Sequence, residues 1–134
     1  MERKARILVI EDDIGFRDLL RIHLSSAGYE VEIAEDGVAG ERALLARPPD
    51  LVVSDLKLPF LDGFELLALL RSEPKLAAIP VVLLSGRTDS EATAKALQLG
   101  AADFLTKPVT RKVLLDSINN CLAKSQRGSA PPSQ

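Results

Sequence analysis

Short apolar runs and amphipathic stretches alternate along the whole chain. Ile7, Leu8, Val9 and Ile10 form a continuous apolar run that ends in Glu11, Asp12 and Asp13. Such a run, rich in β-branched residues, reads as a strand buried on both faces of a parallel sheet. Residues 14–27 follow with Phe16, Leu19, Leu20, Leu24 and Ala27 at helical spacing, and Gly28 is placed to end that helix. Residues 30–34 alternate polar and apolar positions, as a strand near a sheet edge does. Asp36 can cap a helix running to about Arg47, where Pro48 and Pro49 stop it. Leu51, Val52, Val53, Ser54 and Asp55 predict a third strand, again ending in a carboxylate. Residues 59–63 predict a loop and residues 64–71 a helix that Pro74 keeps short. Residues 80–85 predict a fourth strand. Asp89 or Ser90 can cap a fourth helix that reaches Leu99 and is closed by Gly100. Residues 103–106 predict a short fifth strand, and Thr110 caps a last helix to about Lys124.

This order predicts an α/β chain, (βα)5, with a five-stranded parallel sheet covered on both faces. Right-handed crossovers make it doubly wound. Residues 1–5 read as an N-terminal extension and 6–124 as the domain. Residues 125–134, rich in Ser, Pro, Gly and Gln, read as a disordered tail or interdomain linker.

Composition narrows the picture. A chain of 134 residues, 46% hydrophobic and 27% charged, fits one domain with a sizeable core. Its 17 basic and 19 acidic side chains give a net charge of −2, so there is no electrostatic case for direct binding to nucleic acid or an anionic membrane. No apolar run approaches the ~20 residues of a membrane span. The charged start leads straight into a strand, which does not resemble a signal peptide. The single cysteine, Cys121, excludes an intramolecular disulfide and fits a reducing compartment. The expected location is the cytoplasm.

An open parallel sheet gathers its chemistry at the carboxyl ends of its strands. Those ends carry Glu11 and Asp12, then Asp55, then Ser85, with Lys107 and Pro108 after the fifth strand. Carboxylates brought into one cleft repel each other unless something positive sits between them. A hard divalent cation with oxygen ligands is the natural partner, and Mg²⁺ needs only one or two carboxylates. A plainer reading remains for each residue. The acidic run could simply cap the first helix, and Lys107 could be a solvated surface lysine. Asp62 and Gly63 are a turn signal with a structural role. His23 and Cys121 fall on apolar-periodic helices and read as structural, and Leu66, Leu67, Leu69 and Leu70 read as a helix packing surface.

The stretch ILVIEDD over residues 7–13, the segment Ser54-Asp55-Leu56-Lys57-Leu58-Pro59 with Asp62-Gly63, the strand-ending Ser85 and the Lys107-Pro108 pair resemble the receiver domains of two-component response regulators, the CheY-like superfamily. The resemblance covers residues 6–124. It implies a flavodoxin-like sheet of strand order 2-1-3-4-5 and a signalling switch rather than a turnover enzyme. It implies that Asp55 is the phosphoacceptor, a carboxylate nucleophile forming an acyl phosphate. Asp12 would bind Mg²⁺ directly, Glu11 through water, and the Lys57 backbone carbonyl would add a ligand. Ser85 would donate to a phosphoryl oxygen, Lys107 would pair with the phosphoryl group, and the Lys107–Pro108 bond would be cis. Phe104 matches the switch aromatic, which turns inward as Ser85 moves toward the phosphate. Lys57 and Arg87, two positions after Asp55 and Ser85, would tune dephosphorylation. No glycine-rich nucleotide loop is present. The donor is therefore another molecule, and the resemblance implies that it is a sensor histidine kinase or histidine phosphotransfer protein. The resemblance leaves room for a downstream output domain and for a phosphorylation-dependent dimer. Ala102 stands where winged-helix transcription regulators carry one of two paired acids, so their dimer salt bridges are not expected.

Other classes fit less well. An interaction module with a dead acceptor site would not need the full acidic, serine and lysine set. Haloacid-dehalogenase-like phosphohydrolases want Asp-x-Asp after the first strand, where Glu11-Asp12-Asp13-Ile14 stands instead. A flavodoxin would need a phosphate loop there, and acids repel phosphate.

Overall fold

The computed structural model describes residues 4–86 and 90–128. Its elements follow the expected alternation: β1 (Arg6–Ile10), α1 (Ile14–Ser26), β2 (Glu30–Ala34), α2 (Gly37–Ala46), β3 (Leu51–Asp55), α3 (Gly63–Ser72), β4 (Val81–Ser85), α4 (Ser90–Gln98), β5 (Asp103–Thr106) and α5 (Arg111–Gly128). All pairings are parallel, in the order β2-β1-β3-β4-β5. The chain therefore starts near the middle of the sheet and reverses direction between β1 and β3. That switch point opens a crevice at the carboxyl edge.

The three central strands are buried throughout, and alternate residues feed two cores. Leu8, Ile10, Val52, Val81 and Leu83 pack with Leu44 of α2, Leu66, Leu67 and Leu70 of α3, and Ala92 and Ala96 of α4. Ile7, Val9, Leu51, Val53, Val82 and Leu84 pack with Leu20 and Leu24 of α1 and Leu114, Ile118 and Cys121 of α5. The edge strand β2 shows the alternation expected of it, with Glu30 and Glu32 exposed. On α1 the periodicity is looser than the sequence suggests. Leu19 is 43% exposed, and Ala27 is exposed as the cap residue beyond the helix.

Local chemistry explains the element ends. Gly28 and Gly100 take positive φ (97° and 95°), where a side chain would be strained, and end α1 and α4. The Asp36 side chain accepts from the Ala39 N–H and caps α2. Asp62 is more than a turn residue. Its carboxylate accepts from the Glu65 N–H while Glu65 accepts from the Asp62 N–H, a capping box that starts α3. Gly63 is required beside it, because a Cβ there would stand 2.9 Å from Leu56 Cα. The start of α3 is thereby pressed against the end of β3.

One expectation needs correction. α5 continues to Gly128 rather than ending near Lys124. Ser125, Gln126 and Arg127 carry no helix breaker, and the first stop signal is Gly128 itself. Residues 129–134 of the expected tail lie outside the described residues, as does Asp89. Arg6, at the boundary of the expected extension, is buried. Its guanidinium meets Glu30 at 3.0 Å and Glu32 at 2.9 Å and donates to the Pro48 carbonyl, clamping the amino edge of the sheet. Among the described residues, no helix is long and apolar enough to cross a membrane.

Candidate functional site

Four strand ends meet at the carboxyl edge. β1 delivers Glu11 and Asp12, β3 ends in Asp55, β4 ends in Ser85, and β5 runs into Lys107. Glu11, Asp12 and Asp55 each offer a carboxylate oxygen, and these oxygens lie within 4.8 Å of one another. Glu11 is 1% exposed and Asp55 7%, while Asp12 faces solvent. The Lys107 ammonium lies between them, donating to Glu11 Oε1 at 2.9 Å and standing 3.0 Å from Asp55 Oδ2. Three carboxylates against one ammonium leave an excess of negative charge. All-oxygen donors with that excess fit a hard divalent cation.

The backbone fixes these side chains. The Asp13 N–H donates to Glu11 Oε2 at 3.0 Å, so both Glu11 oxygens are engaged. Arg17 donates to the Glu11 carbonyl at 3.2 Å. The Lys107 N–H donates to the Ser85 carbonyl at 2.8 Å, tying the turn after β5 to the end of β4. The Lys107–Pro108 peptide is cis, as expected.

Ser85, 2% exposed, lines a cavity of about 410 Å³ with Asp55, Lys57, Gly86 and Lys107. A wider cavity of about 490 Å³ adjoins Asp12, Leu56, Lys57, Leu58, Pro59, Asp62 and Phe64. Lys57 is exposed and borders both. Phe104 is half-buried and packs against the core that holds Ala92 and Ala96 of α4. Arg87 lies outside the described residues. The sequence reading thus placed Glu11, Asp12, Asp55, Lys57, Ser85 and Lys107 in one cleft, and the structure brings all six there.

One neighbour of the site was not anticipated. Phe16 reads from the sequence as a core residue of α1, yet its ring centroid lies 4.6 Å from Lys107 Nζ. The available signal was an aromatic in the first turn of the helix that follows the acidic run. His23 is half-buried. Cys121 is buried, and burial pushes its thiol above the ordinary value of 9.0, which agrees with an inert cysteine.

Burial raises the Glu11 carboxyl above its ordinary 4.5, and the Asp55 charge adds to this. Hydrogen bonds from the Asp13 N–H and Lys107 oppose the shift without cancelling it. Burial pulls the Lys107 ammonium down, but its hydrogen bonds to Glu11 and Asp55 outweigh that, so it ends above 10.5. The raised Glu11 contributes stability below 4.5 and loses it as pH climbs through the raised value. The raised Lys107 contributes below 10.5 and loses its share only as pH climbs through its own raised value. With a chelator present, the melting temperature of the wild type relative to Glu11→Gln should therefore fall as pH climbs above 4.5. Parallel profiles for the two proteins would contradict the burial of a charged Glu11.

Comparison with known proteins agrees with this fold. The family model for the response regulator receiver domain matches residues 7–119. The chain is 37% identical over 122 residues to the DNA-binding dual master transcriptional regulator RpaA of Synechocystis sp., covering 91% of this chain and 51% of that protein. Its structure resembles the signal receiver domain of a signal transduction histidine kinase from Syntrophus aciditrophicus, with a TM-score of 0.85 and 34% identity over 92% of this chain and 93% of the other. A CheY-like response regulator receiver domain protein from Methanospirillum hungatei gives a TM-score of 0.88 at 28% identity, over 95% and 100% of the two chains. The chain spans between 27% and 56% of the length of the transcriptional regulators it matches.

Proposed function

The chain belongs to the response regulator receiver domain family, and from that premise we propose that it is a phosphorylation-controlled switch with Asp55 as its phosphoacceptor. The observation that carries this is the position of Asp55. Its carboxylate ends β3 on the floor of a cavity, 3.0 Å from a lysine ammonium and within metal-sharing distance of two other carboxylates.

An Asp55 oxygen attacks phosphorus as the N–P bond to a donor histidine breaks, leaving an acyl phosphate and a free imidazole. Asp12, Asp55 and the Lys57 carbonyl would hold Mg²⁺, with Glu11 acting through water, and the bound ion would supply positive charge for the phosphoryl oxygens. Lys107 donates to one of those oxygens, and the Ser85 hydroxyl to another. The donor is another molecule, because the chain has no nucleotide-phosphate loop of its own, and membership of the receiver family points to a histidine kinase or histidine phosphotransfer protein. Lys57, exposed at the rim, accepts no hydrogen bond and so cannot take a proton from an attacking water. The acyl phosphate is accordingly slow to hydrolyse. Arg87 is assigned the same role from its sequence position.

The signal leaves through α4, β5 and α5. When Ser85 is drawn to the phosphoryl group, Phe104 moves inward from its half-buried place beside α4, and the exposed face is remade. That face then acts on an output domain, a partner or a second copy. With Mg²⁺ and beryllofluoride as a phosphate mimic, amide hydrogen exchange should change in peptides from α4, β5 and α5 and stay constant in α2. Exchange on that face identical with and without the mimic would contradict the switch.

A further inference from the structure

The Lys107 side chain is a flexible four-carbon stem that gives up much rotamer freedom when it is held in one place. Three groups hold its ammonium in the structure: Glu11 at 2.9 Å, Asp55 at 3.0 Å and the face of Phe16 at 4.6 Å. The two carboxylates are also the groups a metal ion would engage, and Asp55 is the group that would accept a phosphoryl. Once their charge is shared, their grip on Lys107 weakens. The ring is unaffected by that exchange. It is uncharged, offers nothing to a hard cation, and is seated on the core formed by Ile7, Val9, Leu20 and Leu24.

We propose that Phe16 is a positioning residue for Lys107, holding the ammonium at the phosphoryl site through a cation–π contact. The inference rests on the receiver reading given above. The attraction comes from the negative face of the ring, and it leaves the N–H donors directed at Glu11 and Asp55 available to phosphoryl oxygens. A carboxylate in the place of Phe16 would hold the lysine equally well but would repel the incoming phosphoryl group. An aromatic face restrains the cation without adding negative charge.

Stepwise fluorination of Phe16 separates this role from simple packing, because it nearly preserves the shape of the ring while draining its negative face. Mg²⁺-dependent labelling by acetyl phosphate should slow in order through 4-fluoro-, 3,5-difluoro- and pentafluorophenylalanine, by roughly three- to fivefold at the end of the series. Phe16→Tyr should keep the wild-type rate and Phe16→Leu should lose it to the same extent, with folding checked by melting. In the metal-free protein, the Lys107 ε-methylene protons should be shifted upfield by the ring current in wild type and Phe16→Tyr but not in Phe16→Leu. Normal labelling indifferent to fluorination, or no ring-current shift, would overturn the positioning role alone. Failure of the wild type to label would overturn the receiver reading, and this role with it.

Discussion

Asp55→Asn is expected to reduce Mg²⁺-dependent phosphorylation to background while leaving the metal-free domain at least as stable as the wild type. The side chain sits at the end of a fully buried strand and is nearly isosteric with asparagine, so packing survives. The change removes the proposed nucleophile. It also removes one negative charge from a cluster in which Glu11, Asp12 and Asp55 crowd within 4.8 Å. Lys107 loses one partner but keeps Glu11 at 2.9 Å. Relief of repulsion and loss of the ion pair roughly offset each other, and the stabilisation that Mg²⁺ gives the wild type should shrink. Labelling after addition of acetyl phosphate and thermal melting with and without Mg²⁺ measure both effects. Undiminished labelling of the mutant would remove Asp55 from its assigned role.

Lys107→Met carries the second large effect, and its sign depends on the metal. Without metal, the substitution leaves two buried carboxylates with no cation between them. Breaking a buried pair from one side is strongly destabilising. The Lys107 side chain is 25% exposed, so solvent screens part of this and a loss of about 1–3 kcal/mol is expected. Saturating Mg²⁺ should recover most of that loss, because the mutant site is more negative and binds the ion more tightly. Phosphorylation should nonetheless fall by roughly 10²-fold, the usual consequence of removing one preorganised donor from a developing oxyanion. Calorimetric melting, Mg²⁺ titration and labelling rate read the three parts separately. A mutant equally stable in chelator, with unchanged Mg²⁺ affinity, would show that the ion pairs at 2.9 and 3.0 Å do not form in solution.

Much of this was legible in the sequence because it rests on local signals. Runs such as Leu51, Val52 and Val53 are apolar at every position only because the sheet is covered on both faces, and the structure seats them in two separate cores. The acidic, serine and lysine positions were readable because a doubly wound sheet leaves its functional residues at strand ends. What stayed hidden depends on tertiary approach. Arg6 reads as one more charge just before the first apolar run, and only the proximity of β2 makes it a buried clamp between Glu30 and Glu32. Gly63 reads as a turn residue, but the contact with Leu56 is what requires it. Phe16 shares its helical stripe with Leu20 and Leu24, and no periodicity distinguishes a core aromatic from one whose face also meets a lysine. The end of α5 is hidden in the sequence because polar composition after Lys124 resembles a linker, although helix formers such as Gln126 and Arg127 tolerate continuation to Gly128.

The central claim is that Asp55 accepts a phosphoryl group with the help of a divalent cation. Its most direct test is peptide mass spectrometry of the wild-type protein after incubation with acetyl phosphate, with the acyl phosphate trapped by borohydride reduction. A single modification on Asp55 in the presence of Mg²⁺, lost in chelator, is the predicted result. Modification on another residue, or on Asp55 at equal yield without metal, would contradict it.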